Sequence, residues 1–83
     1  MTSIYRIYTE RRTNLAEIAS RYFDSFTIFD GQGVYKKTFE YSAVIAVIGA
    51  DWQGVKRLAQ DIKQENNQES VIITEQPVTV HLI

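Results

Sequence analysis

The residues best placed to do chemistry are two adjacent arginines at a change of chain direction. In Thr9-Glu10-Arg11-Arg12-Thr13-Asn14, Arg11 and Arg12 fall between the end of an Ile- and Tyr-rich segment and the start of a helical pattern. Free backbone amides and the helix dipole favour an anion at such a junction, and two guanidiniums reinforce them. Arg11, Arg12 and Asn14 are therefore candidate ligand-binding residues, with solvated loop arginines as the alternative. A second candidate is Gly31-Gln32-Gly33 followed by Tyr35, Lys36 and Lys37. Glycines allow close backbone approach, the tyrosine offers a stacking face, and the lysines offer charge for a phosphate. A dinucleotide-binding loop lies between a strand and a helix, whereas this pair lies between two strand-like segments. A plain hairpin turn, with the lysines discouraging edge pairing, is the structural alternative.

Carboxylates and amides form a third group. Glu40 and Ser42 stand at the start of the most apolar segment, and Gln68 and Glu69 at the start of the last one. Side chains at such positions bind neighbouring backbone or reach across a subunit interface. An enzyme acting through Glu40, Glu69 or His81 is a possible reading, but nothing beside them in sequence supplies a nucleophile or a proton shuttle, and no catalytic residue is assigned. His81 is the sole histidine and the chain has no cysteine, so no metal site and no cofactor are expected. Tyr5, Tyr8, Phe39 and Tyr41 resemble the aromatics of an RNA-binding sheet. The segment KKTFEYSAVI lacks the basic, glycine-containing motif that goes with them, and nucleic acid is not the expected partner. Trp52 reads as a packing residue at a helix start or an interface anchor.

These groups need a scaffold, and 83 residues allow one domain, 1–83. Hydrophobic residues make up 45% and charged residues 23%, the balance of an ordinary globular chain. Nine Lys plus Arg against ten Asp plus Glu give a net charge of −1, so any anion site must be local. Without cysteine there are no disulfides, and no basic leader with an apolar run or membrane-length apolar stretch is evident. A soluble, cytoplasmic protein that does not contact membranes is the expectation.

Alternation predicts a strand over Ser3 to Thr9. Leu15, Ile18, Ala19, Tyr22 and Phe23 recur at helical spacing, with Asn14 as cap and Glu17 completing a capping box. Phe26 to Phe29 predicts a second strand, turning at Asp30-Gly31-Gln32-Gly33. Val34 to Tyr41 alternates loosely and leads into the apolar strand Ser42 to Ile48. Asp51 caps a second helix whose stripe is Val55, Leu58, Ala59 and Ile62, running to about Gln64. Ser70 to Thr74 predicts a strand, and beyond Pro77 the residues Val78 to Ile83 predict an appended one.

The order β-α-β-β-α-β defines an α+β, ferredoxin-like sandwich, an antiparallel sheet with two helices on one face and an extra C-terminal strand. One mismatch follows. Ala43, Ile45 and Val47 face one way while Val44, Ala46 and Ile48 face the other, and two helices cover one face only. A second copy of the chain is the simplest cover, with Tyr5, Val44, Ala46, Ile48, Glu40, Gln68 and Glu69 as candidate interface residues.

Phe26, Thr27, Gly31, Gly33, Tyr35, Glu40, Ser42, Gln68, Glu69 and Val71 make up a series of short words, TIFDGQGVY, EYS and QESVIIT, across residues 20 to 80. In these the chain resembles small ferredoxin-like proteins of bacteria, phages and mobile elements whose function is uncharacterised. Tyr35 stands where that pattern more often has Trp. The architecture is also similar to that of nitrogen-regulatory PII-like proteins, trimers that bind nucleotides in clefts between subunits. The resemblance implies a non-enzymatic homo-oligomer that binds a small anionic, nucleotide-like ligand, as a phage counter-defence protein that sequesters a signalling nucleotide would. A host-protein inhibitor acting through the sheet face or edge strand is the other reading it allows.

Overall fold

The computed structural model describes residues 1–83. Strand β1 (Ser3–Glu10) leads to helix α1 (Leu15–Ser20), the hairpin β2 (Thr27–Tyr35) and β3 (Thr38–Ile48), helix α2 (Trp52–Glu65), and strand β4 (Ile72–Pro77). The sheet order is β2-β3-β1-β4 and every neighbouring pair is antiparallel. The two most apolar strands are therefore central, as the predicted α+β ferredoxin-like topology requires. No helix is long and apolar enough to cross a membrane.

Alternation along the central strands builds one core. Tyr5, Ile7 and Thr9 of β1 and Ala43, Ile45 and Val47 of β3 are buried against Leu15, Ile18 and Ala19 of α1 and Val55, Leu58, Ala59 and Ile62 of α2. Both helices thus cover the same face. Helix α2 starts where Asp51 Oδ1 accepts a hydrogen bond from the Gly54 amide at 2.6 Å, satisfying one of the first-turn donors.

Four sequence expectations change. The hairpin does not turn at Asp30–Gly33; β2 runs straight through both glycines, and the turn falls at Lys36 and Lys37, with φ of 50° and 64°. Two consecutive left-handed residues form the turn type whose twist matches a hairpin, and here lysines accept it. Asn14 precedes α1 but its side chain caps nothing; it exchanges two hydrogen bonds with Asn66, at 2.8 and 3.1 Å, while Glu17 pairs with Arg21 instead of closing a capping box. β4 extends through Pro77, tolerable because the strand lies at the sheet edge. Val78–Ile83 is not an additional strand of the sheet: the pairing of β4 with β1 ends at Pro77 opposite Ser3, followed only by the Val78 amide donating to the Thr2 carbonyl at 3.0 Å.

The second sheet face has no helix on it. Phe29, Val44, Tyr8 and Ile72 form one cross-strand row over all four strands, and Ile48 and Ile4 form part of a second. Phe29, Ile48 and Ile72 are each more than half exposed.

Candidate ligand cleft

Register brings together side chains that sequence separates. On the open face Tyr8 lies opposite Ile72 and Glu10 opposite Ser42, while β3 carries Glu40 one pleat further along. Gly31 and Gly33 are on this face too, opposite Ser42 and Glu40. A Cβ at Gly33 would run into Ser42 Oγ and oblige that hydroxyl to rotate away, so the glycine here makes room for a cross-strand side chain within β2, not for a turn.

A cleft of about 220 Å³ results. Its floor is Tyr8, Glu10 and Ile72; one side is the β2–β3 arm, through Tyr35 and Glu40; the other is the segment Asn67 to Ser70 that leads into β4. Lys36 Nζ donates to Glu69 Oε1 and Oε2 at 3.0 and 3.2 Å and ties the arm tip to that segment across the cleft. This hydrogen bond from Lys36 holds the Glu69 carboxyl below the usual carboxylate range and, reciprocally, raises the Lys36 ammonium. Gln68 fixes the wall: its Nε2 donates to the buried Thr9 Oγ1 at 2.5 Å, and its Oε1 accepts from the Glu10 amide at 3.3 Å.

Glu40 is the electrostatically unusual group. Burial, and after it the hydrogen bond and charge of Glu10, raise its carboxyl above the usual range, with only partial relief from Arg12. Arg12 itself is ion-paired with Glu10. The cleft therefore carries Glu10, Glu40 and Glu69 against Arg12 and Lys36, an excess of carboxylate.

The predicted residues divide accordingly. Tyr35 of the ligand-binding candidates and Glu40, Gln68 and Glu69 of the interface candidates line the cleft, with Lys36 bonded to Glu69 and Gly33 opposite Glu40. Arg11 bonds Asp30 at 2.9 Å on the helix-side face of the sheet, Asn14 is spent on Asn66, and Lys37 is at the exposed turn. Arg11, Arg12, Lys36 and Lys37 do not converge on one anion cradle. Tyr5, expected at an interface, is a core residue that stacks near Trp52 at 6.0 Å and donates its hydroxyl to Glu75 at 3.1 Å. Val44, Ala46 and Ile48 do occupy the open face. His81 lies beyond the sheet and lines no part of the cleft. Tyr8, weighed in the sequence only as an aromatic of an RNA-binding sheet, lines the cleft together with Glu10 and Ile72, which sequence did not single out; the Tyr-x-Glu spacing opposite core residues Ile7 and Thr9 was the available signal.

No family model and no curated protein matches the sequence. Solved structures do match in fold. The chain is similar to a phage SAM lyase in complex with S-methyl-5'-thioadenosine, at 17% identity and TM-score 0.68 over 90% of this chain and 80% of that one. It is similar to a nitrogen regulatory PII-like protein from Thiomonas intermedia K12, bound to ADP, AMP and bicarbonate, at 13% identity and TM-score 0.69 over 99% and 94%. A DUF3240 family protein from Shewanella baltica OS155 aligns over 99% and 94% at 6% identity and TM-score 0.65. At these identities the likeness establishes a shared fold, which includes the PII-like architecture expected from the element order.

Proposed function

We propose that this chain is a non-enzymatic, homo-oligomeric binding protein that holds a nucleoside-type ligand in the cleft between the β2–β3 arm and the segment before β4. The carrying observation is the pairing of two aromatic faces, Tyr8 and Tyr35, with hydrogen-bonding groups from Glu10, Glu40 and Gln68 in one cleft. Tyrosines stack a base, and carboxylates accept hydrogen bonds from ribose hydroxyls. The similarity to structures that carry S-methyl-5'-thioadenosine or adenine nucleotides supports the class of ligand.

Charge refines the expectation of an anionic ligand. A phosphate arriving here meets an excess of carboxylate, and to recruit Arg12 or Lys36 it must break their ion pairs with Glu10 and Glu69. A ligand without phosphate, or with one only at the rim near Lys37, fits better. Sequestration of such a molecule is the counter-defence role this reading supports.

Titration calorimetry with S-methyl-5'-thioadenosine, adenosine, AMP and ADP tests it. The expected result is binding of the two nucleosides, weaker binding of ADP, and a loss of about 1–3 kcal/mol in Tyr8→Ala. Failure of all four ligands to bind would sink the proposal. A second reading, a small lyase-type enzyme, is favoured by one observation, the Glu10–Glu40 carboxyl pair in the cleft. Mass spectrometry of S-adenosylmethionine incubated with the protein separates the two, since only an enzyme consumes it.

A further inference from the structure

We infer that residues 78–83 of one copy pair as an added strand along β4 of a second copy, with alternate side chains entering the groove between β4 and α2. This deepens the homo-oligomer part of the proposal above by naming the contact, and it does not use the ligand cleft, which is on the other face of the sheet.

The segment VTVHLI has β-branched residues at Val78, Thr79 and Val80, no Asp, Glu, Lys or Arg, and apolar side chains at alternate positions 78, 80 and 82. It makes one backbone hydrogen bond, from Val78 to Thr2, and then projects past the sheet with Val80 half exposed and Leu82 and Ile83 fully so. Strand-forming residues held out in water with unpaired backbone groups are the donor half of a strand addition.

The acceptor half is at the sheet edge. β4 has β1 on one side and nothing on the other. Beside it, on the helix side, is a groove of about 250 Å³ with Trp52, Ala59, Val71 and Ile73 as its apolar lining and Lys56 and Lys63 among its polar residues. A strand added to the free edge places every second side chain in this groove.

Chain direction decides the occupant. Residues 78–83 continue from β4 without a reversing turn, so they cannot lie alongside the strand they extend, and the segment that fills the groove must come from another copy. One six-residue strand buries little. A reciprocal exchange uses two segments and two grooves, which moves the contact toward the roughly 1,200–2,000 Å² of a stable interface.

The absence of cysteine makes the test direct. Val80→Cys protein is mixed with Lys56→Cys protein and oxidised, with a mixture of Val80→Cys and Lys37→Cys as control. The expected product is a heterodimer carrying the 56–80 disulfide, identified by peptide mass spectrometry, in several-fold excess over the control. Equal yields, or an internal 56–80 bridge in a protein that carries both Lys56→Cys and Val80→Cys, would overturn the inference. Leu82→Asp is expected to lower the mass seen by light scattering while leaving S-methyl-5'-thioadenosine titration unchanged. If Leu82→Asp leaves the mass unchanged, the strand exchange is wrong even where the ligand binds; if the exchange is found and no nucleoside binds, only the ligand reading falls.

Discussion

Single side chains in this protein act through their neighbours' charge. Glu40 has a folded-state pKa above its unfolded value, because burial and Glu10 both disfavour its carboxylate. Its stabilising contribution is therefore present below about pH 4 and is lost as pH rises through the folded value. Glu40→Gln is expected to raise the melting temperature at pH 7, with the gain vanishing below about pH 4; an unchanged melting temperature at pH 7 counts against the Glu10–Glu40 repulsion. At the alkaline end, burial and Glu75 raise the Tyr5 phenol, and the hydrogen bond to Asp61 with burial raises that of Tyr22. Tyr5 and Tyr22 should ionise above the usual tyrosine range in an ultraviolet titration, and stability should fall as pH climbs past about 10 through their folded values. Of the residues that line the cleft, Tyr35 was read from sequence as a ligand contact, whereas Glu40, Gln68 and Glu69 were read as strand-entry residues facing a subunit interface. The place of Tyr8, Glu10 and Ile72 in the cleft was not readable, because only cross-strand register sets them beside those four.

At the scale of elements, the contrast between two helix starts is instructive. Asp51 caps α2 through Gly54, whereas Asn14 ties α1 to the end of α2 through Asn66. Asp51→Ala should cost about 1 kcal/mol in urea unfolding by removing the cap. The hairpin shows why sequence can misplace a turn. Asp30-Gly31-Gln32-Gly33 has strong local turn chemistry, yet continuing the strands through it adds the pairs Gln32–Tyr41 and Val34–Phe39 and lets Phe39 and Tyr41 meet edge to face at 5.2 Å. The penalty is carried by Lys36 and Lys37 at positive φ. Lys37→Gly should therefore stabilise the fold by about 1 kcal/mol in urea, leaving the Lys36–Glu69 pair in place. A destabilised variant would contradict the strain.

For the molecule as a whole, the limiting quantity is core size. Only 13 of 83 residues are buried, and the core is one layer between a sheet and two helices. Truncating its centre, as in Leu58→Ala, should cost about 2–5 kcal/mol, enough to threaten folding of so small a domain. The association proposed above would offset this marginality, and its expected sign is a melting temperature that rises with protein concentration. The sandwich topology was readable because periodicity in β1, β3 and α2 is strong and one fold satisfies it. The course of residues 78–83 was not, because pairing depends on whether a neighbouring strand remains to be paired with.

The β2–β3 arm extends past the helices, with Val34, Phe39 and Tyr41 largely uncovered and its tip fastened to the body by Lys36 and Glu69. Its backbone amides should exchange with deuterium well before those of Ala43 to Val47, which have a packed layer behind them. Because both side chains of this one clasp are about two-thirds exposed, added salt should quicken exchange at the arm tip while the rest of the polypeptide stays folded.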